Sequence, residues 1–241
     1  MIRLPLLDPA APERFPDPRD ALREPNGLLA FGGDLSPARL LAAYGQGIFP
    51  WYGEGEPILW WSPDPRCVFR TEVLRINRSL RRQLRGKSWR VSVDTAFETV
   101  IRACAEPREG HGGTWIVPEM IDAYAALHRL GHAHSVEVWD GTRLVGGVYG
   151  VAIGQLFCGE SMFSAESGGS KLALMSLAEL LRQWGWPLID AQVANAHTLR
   201  LGAGEVPRED YLREAALLTA RPGRVGNWAD CASRIQPGDC A

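Results

Sequence analysis

Apolar and polar positions along this chain repeat with two different periods, and the switches between them mark the elements. Trp89 to Val93 alternates at period two and predicts a strand, after which Asp94 stands where it would cap a helix running through Ala105. A second helix is expected from about Pro118 to Leu130, stopped by Gly131. Ser135 to Trp139 and Leu144 to Ile153 flank Asp140-Gly141, a tight-turn dipeptide, so they predict a hairpin, and Gln155 to Phe163 predicts a further strand. Helical spacing returns from about Ser170 to Trp184, Gly185 breaks it, and Leu188 to Val193 reads as a strand.

The first 64 residues follow a different rule, being rich in proline, glycine and tryptophan with one clear helix. Ser36 stands at its N-cap, Pro37 at the first helical position, Ala38 to Tyr44 inside, and Gly45 at its end. This predicts a small N-terminal domain over residues 1–64 and a larger one over residues 65–241, with a polar tail after Ala220 that is expected to be loosely held. Composition adds little to that picture: 241 residues with 46% hydrophobic content suit a folded globular protein. The five cysteines show neither a Cys-x-x-Cys spacing nor an even framework, which fits reduced thiols in the cytosol better than a zinc knuckle or a disulfide scaffold. The N-terminus lacks an apolar signal-like stretch and no apolar run approaches membrane-spanning length, so a cytoplasmic protein without membrane insertion is expected. A net charge of -2 means that any nucleic-acid role needs a local basic face.

Such a face is encoded between Arg75 and Lys87, a stretch without an acid. If Asn77 caps a helix ending at Gly86, then Arg78, Arg81, Arg82 and Arg85 share one face while Ile76, Leu80 and Leu84 share another. An arginine stripe of that kind suits a phosphate backbone, and the same residues also fit a solvated helix face. Trp51, Trp60, Trp61 and Trp115 sit in segments rich in Pro and Gly, where stacking on a base competes with ordinary core packing. Tyr44 and Tyr124 offer an additional stacking face or a hydroxyl. Glu160 lies between small and apolar residues in a predicted strand, so it needs a cation, from a ligand or from an internal arginine. Asp190 and Gln192, two apart in a strand, are expected on one face, where the carboxylate would hold an ammonium or guanidinium and the amide both donates and accepts. A structural polar pair closing a sheet is the other reading of those two residues. Ser161 lacks the second glycine of a nucleophile elbow, His132 and His134 lack a third ligand, and Gly168-Gly169-Ser170-Lys171 lacks the first glycine of a Walker A loop.

With these residues in hand, the chain resembles the bacterial leucyl/phenylalanyl-tRNA-protein transferases. The resemblance runs in order through Glu24 to Ala30, Gly32 to Pro37, Gly47 to Trp51, Trp60 to Arg66, Gly113 to Ile116, Gly131 to Ser135, Gly159 to Ser164 and Asp190 to Val193. It implies an α/β (α+β) protein with a small N-terminal domain and an acetyltransferase-like, GNAT-type mixed-sheet C-terminal domain, and the predicted order of hairpin, strand, helix and strand agrees. It further implies transfer of Leu, Phe and less readily Met from aminoacyl-tRNA to the N-terminal amine of proteins beginning with Arg or Lys, marking them for degradation, without cofactor or metal. By the same resemblance, Trp51 and Trp115 would meet the donor's terminal adenosine, where the residues themselves suggest Tyr44 and Tyr124 as additions, and Glu160, Asp190 and Gln192 would meet the acceptor and reaction centre. Val148, Phe157, Met162, Leu177, Leu181 and Ile189 would line the aminoacyl side-chain pocket. The chain departs from the family pattern by carrying Val148, Leu177 and Leu181 where Met or Phe is expected, and by a lengthened segment from Glu109 to Gly113.

Two other functions share parts of this pattern. An acetyl-CoA N-acetyltransferase of the same fold needs a pyrophosphate-cradling turn, and the nearest approach, Arg143-Leu144-Val145-Gly146-Gly147-Val148, falls in an expected strand. A non-catalytic adaptor for basic or bulky N-termini needs neither the arginine stripe nor the clustered tryptophans.

Overall fold

The computed structural model describes residues 4–74, 78–106 and 115–234. Its N-terminal part is a four-stranded sheet ordered β1-β2-β4-β3, from β1 (Leu6–Leu7), β2 (Leu28–Gly32), β3 (Phe49–Pro50) and β4 (Leu59–Trp61). Helix α1 (Pro37–Gly45) crosses between β2 and β3, and its start follows the expected chemistry, with the Ser36 hydroxyl accepting from the Arg39 N–H and Pro37 at the first position.

The larger part is a mixed seven-stranded sheet. Its elements in chain order are β5 (Arg66–Arg70), α2 (Arg78–Leu84), β6 (Trp89–Val93), α3 (Phe97–Ala105), α4 (Pro118–Arg129), β7 (Ala133–Asp140), β8 (Arg143–Ile153), β9 (Leu156–Ser164), α5 (Gly169–Gln183), β10 (Leu188–Gln192), α6 (Ala196–Arg200), β11 (Gly204–Val206) and α7 (Arg208–Thr219). The strands lie in the order β11-β5-β10-β9-β8-β7-β6. The β7–β8 hairpin turns through Gly141 and Thr142, with Asp140 opposite Arg143 and Gly141 at φ 60°, a conformation suited to glycine. Hairpin, β9, α5 and β10 thus follow one another as the periodicity predicts. Helix α2 forms over the basic run; Leu80 is buried and Arg82 and Arg85 are exposed, while the Asn77 cap and the side chains of Arg78 and Arg81 lie outside the described residues.

β9 and β10 form the only parallel pair of the large sheet among the described residues, and this arrangement opens the sheet. It pairs with β9 through Leu188, Ile189 and Asp190, opposite Leu156, Phe157 and Cys158. Beyond that register β9 continues to Ser164 while β10 ends at Gln192, so the strands part at Gly159 and Ala191. On the other side β10 pairs antiparallel with β5, with a slip between Asp190 and Gln192. Gln192 takes φ 61°, a left-handed conformation uncommon for a residue with a side chain.

Two hydrophobic clusters flank this sheet. One holds α5 residues such as Leu172, Leu177 and Leu181 with Phe157, Ile189 and Trp228. The other joins Leu40, Tyr44, Phe49 and Trp60 of the N-terminal part to Phe97, Tyr124, Tyr149 and Tyr211. The N-terminal sheet therefore shares its core with α3, α4 and α7.

Two expectations need correction. Asp94 does not cap α3, which begins after Ala96 without a side-chain cap; its carboxylate accepts from His134 Nδ1 and the Trp228 N–H at 2.8 Å each and from the Ser135 N–H at 2.9 Å. A buried carboxylate takes the donors that surround it, and here these are a ring nitrogen and two backbone N–H groups outside α3. The tail, through its described part, is not loose: Trp228 is buried and stacks on His134 with ring centroids 3.4 Å apart. Trp228 is the residue that anchors the tail. His134 is accordingly structural, and burial holds its pKa below the usual imidazole value against the opposing pull of Asp94. Glu109 to Gly113 lies outside the described residues.

Candidate active site

A cavity of about 790 Å³ occupies the split between β9 and β10. One wall is apolar, formed by Phe69, Val148, Met162, Leu174, Leu177 and Ile189. The lining also includes the polar residues Glu160, Ser161, Asp190, Asn195, His197 and Arg200, and Trp115. Of the six residues expected in a side-chain pocket, Val148, Met162, Leu177 and Ile189 line it, while Phe157 and Leu181 pack in the cluster behind it. Helical and strand spacing set which faces are apolar, and only the split in the sheet decides which of those faces meets a void.

Glu160 reaches this cavity from the first free stretch of β9, and no arginine or lysine pairs with it among the described residues. Its carboxylate accepts from the Tyr124 hydroxyl at 2.8 Å and from Gln192 Nε2 at 2.7 Å, and the Tyr44 and Tyr124 hydroxyls lie 2.5 Å apart behind it. Burial raises the Glu160 pKa to about 7; hydrogen bonds from the two tyrosines pull it down, the charge of Asp190 pushes it up, and the bond from Gln192 pulls it down again. Tyr44 and Tyr124 therefore do not present stacking faces to a base. Their rings are 1% and 0% exposed and their hydroxyls form a chain ending on Glu160, which corrects the expectation that they meet an adenosine.

Asp190 differs from its expected role even more. The expectation places a ligand's ammonium or guanidinium on its carboxylate, and the structure fills that place with Arg66. Arg66 Nε donates to Oδ1 at 2.8 Å and Nη2 to Oδ2 at 2.6 Å, the Tyr211 hydroxyl donates to Oδ2 at 2.7 Å, and the Gln192 N–H donates to Oδ1 at 2.9 Å. The carboxylate is fully buried and its acceptor positions are occupied, so it has no face to offer a ligand. Nor do Asp190 and Gln192 act as an evenly alternating pair. The bulge at Gln192 interrupts the alternation, so that Asp190 joins Arg66 while the Gln192 side chain joins Glu160. With its amide nitrogen donating to Glu160, Gln192 retains its carbonyl oxygen as an acceptor.

Trp115 and Trp51 are separated in this geometry. Trp115 touches the cavity, whereas Trp51 lies outside its lining, 43% exposed, edge-on to Trp61 at 5.6 Å, with its carbonyl accepting from Trp61 Nε1. Sequence reasoning did not single out Arg66 or Tyr211. The signal was available: a carboxylate in an apolar strand requires a cation, and Arg66 opens the strand that proves to be the neighbour of β10. Arg143 to Val148 is strand, as expected, and Gly146 packs so closely on Gly169 that a Cβ there would lie 2.3 Å from its carbonyl carbon. Among the described residues no group of three His, Cys, Asp or Glu side chains is arranged to hold a metal ion, and no helix is long and apolar enough to cross a membrane.

Residues 68–216 match the leucyl/phenylalanyl-tRNA protein transferase family, and residues 33–64 match the N-terminal domain of the same transferases. The chain belongs to this family. It is 63% identical over 223 residues, 92% of its length and 89% of the relative's, to the leucyl/phenylalanyl-tRNA–protein transferase of Xanthomonas axonopodis pv. citri strain 306. The transferase of Xylella fastidiosa strain 9a5c is 56% identical over 225 residues, with 93% of each chain covered. Likeness to solved structures is remote, as with L-PGS from Bacillus licheniformis, which covers 71% of this chain and 55% of its own at 9% identity and a TM-score of 0.40. As a family member the protein is a transferase enzyme with a mixed α/β fold of a small N-terminal and a larger C-terminal domain.

Proposed function

We propose that this protein transfers Leu, Phe or Met from the 3' end of aminoacyl-tRNA to the N-terminal amine of cytoplasmic proteins that begin with Arg or Lys, marking them for degradation. The observation that carries this reading is that one cavity holds both an apolar pocket sized for a side chain and an unneutralised carboxylate next to an amide. The aminoacyl side chain occupies the wall of Val148, Met162, Leu177 and Ile189. Trp115 at the cavity and the exposed Trp51 outside its lining hold the terminal adenosine, and the arginines of α2 lie along the tRNA backbone, where positioned guanidinium groups favour phosphate of any sequence.

The aminoacyl ester is already activated, so the reaction needs positioning above all. The neutral amine attacks the ester carbonyl carbon, a C–N bond forms, the bond to the ribose oxygen breaks, and that oxygen leaves as a hydroxyl. A free α-amine has a pKa near roughly 8, so a useful fraction is neutral at physiological pH without a strong base. The Gln192 carbonyl accepts an amine N–H and aims the lone pair, while the proton that the amine gives up passes through water or the ribose 2'-hydroxyl to the leaving oxygen. Glu160 carries the negative charge nearest that amine and holds the cationic acceptor. Asp190 serves the same centre from behind by fixing Gln192. The test is direct: purified protein is incubated with labelled Phe-tRNA or Leu-tRNA and peptides beginning with Arg, Lys or Ala, and the products are identified by mass. Aminoacylated Arg and Lys peptides are expected, and their absence overturns the reading.

A further inference from the structure

We infer that Arg66 is a positioning residue of the reaction centre, acting through Asp190 to hold the backbone of Gln192 in its left-handed bend. The inference rests on reading Gln192 as the group that orients the attacking amine. Arg66 is 1% exposed, yet its planar fork is used throughout: Nε and Nη2 meet Asp190, and Nη1 donates to the Gly47 carbonyl at 3.1 Å. Its two faces are covered by Phe49 and Tyr211, whose ring centroids lie 4.8 Å and 4.5 Å from the guanidinium carbon. A lysine offers one compact charge and matches neither the paired contact nor the stacking.

The chain of contacts continues to the cavity. Asp190 Oδ1 accepts from both Arg66 Nε and the Gln192 N–H, and Gln192 Nε2 donates to Glu160. Gln192 sits at φ 61°, where a residue with a side chain stays only if its surroundings hold it. The Asp190 oxygen supplies that hold, and the fixed guanidinium determines where the oxygen lies. A buried ion pair adds little net stability over well-packed apolar groups, so stability alone gives no account of this one, whereas the bend at Gln192 does. Because both Asp190 oxygens are taken by donors of the protein itself, loss of the pair is expected to change turnover more than acceptor binding.

The experiment is a double-mutant cycle on the full chain with Phe-tRNA as donor and a peptide beginning with Arg as acceptor. Arg66→Lys is expected to lower kcat by about 30-fold with acceptor KM within about 3-fold, and to lower kcat by no more than about 3-fold in a Gln192→Ala background. Losses that multiply, an Arg66→Lys effect confined to KM, or wild-type turnover in Arg66→Lys overturn the inference. If Arg66→Lys does not fold, as judged by its melting transition, Tyr211→Phe replaces it. That change removes one donor to Asp190, and about a 3-fold loss of kcat that vanishes beside Gln192→Ala is expected; a loss that persists there overturns the inference. Wild-type turnover in Gln192→Ala overturns the reading of Gln192 and the inference with it, whereas an impaired Gln192→Ala with multiplying losses overturns the inference alone.

Discussion

Glu160 and Asp190 are two carboxylates on adjacent strands, 9% and 0% exposed, and their surroundings give them opposite work. Asp190 meets a guanidinium through two bonds and a phenol through a third, so its charge is neutralised where it stands. Glu160 meets a phenol and an amide, which offer hydrogen bonds without a positive charge. Burial accordingly lifts its pKa to about 7, and among the described residues no cation pairs with it. Burial alone therefore does not identify a functional acid; the sign of what surrounds it does. Asp190 is tied up inside the protein, and Glu160 is the carboxylate proposed to meet the substrate.

The sharpest way to break this comparison is to remove each carboxylate in turn. Asp190→Ala leaves the Arg66 charge buried without its partner and is expected to cost about 3–5 kcal/mol of stability, read from urea unfolding. Glu160→Gln is nearly isosteric: its amide still accepts from Gln192 and donates to the Tyr124 oxygen, so stability at neutral pH is expected to stay within about 1 kcal/mol of the parent. Similar losses from both changes would erase the distinction. Transfer activity separates them in the other direction, because Glu160→Gln is expected to fold normally and lose about 100-fold in kcat/KM for acceptors beginning with Arg, measured with Phe-tRNA. Retention of full activity in that variant would show that the charge of Glu160 is not what the acceptor meets.

This distinction explains what the sequence made legible and what it did not. Periodicity located the strands of Glu160 and Asp190 and the helix between them, because an apolar face repeats locally. A partner is not local. Arg66 lies 124 positions from Asp190 in the chain, and Tyr124 lies 36 from Glu160, so nothing in either strand declares which carboxylate receives the cation. The bulge at Gln192 was hidden for a related reason. Period-two alternation predicts an even face, while the left-handed turn depends on an Asp190 side chain whose position is set by another strand. Trp228 was missed because scattered apolar residues in a polar tail have no period, although its indole packs in the cluster that holds Phe157 and Trp186.

Acid titration of stability offers a smaller effect that still separates the two carboxylates. The Glu160 pKa rises on folding from about 4.5 to about 7, so the folded protein holds a proton there that the unfolded chain releases. The sign follows: the contribution is fully present below about pH 4.5 and is lost as pH rises through about 7. Over that window the group lowers stability with increasing pH by at most about 1.4 kcal/mol per unit. Subtracting the Glu160→Gln curve from that of the parent isolates this slope, and a flat difference between pH 5 and 7 would remove the case for a raised pKa.

The finest test concerns how Glu160 is tuned without being removed. Tyr124 donates to the carboxylate and links it to Tyr44, and both hydrogen bonds favour the ionised form. Burial, followed by the charge of Glu160, holds the Tyr124 phenol well above its ordinary pKa, so it remains a donor throughout the working range. Tyr124→Phe removes that donor with little change of shape. The Glu160 pKa then moves further up, and the acid limb of kcat/KM shifts to higher pH by about half a unit, with a loss of about 3-fold at pH 7. The amine of the acceptor titrates in the same range, but its pKa belongs to the free peptide and stays fixed, so any displacement of the limb is the enzyme's own. The charge of Asp190 raises the Glu160 pKa, so Asp190→Asn in a folded form is expected to lower the rate and to move the limb the other way, toward lower pH. An acid limb unmoved by Tyr124→Phe would mean that the tyrosine chain packs against Glu160 without governing its charge.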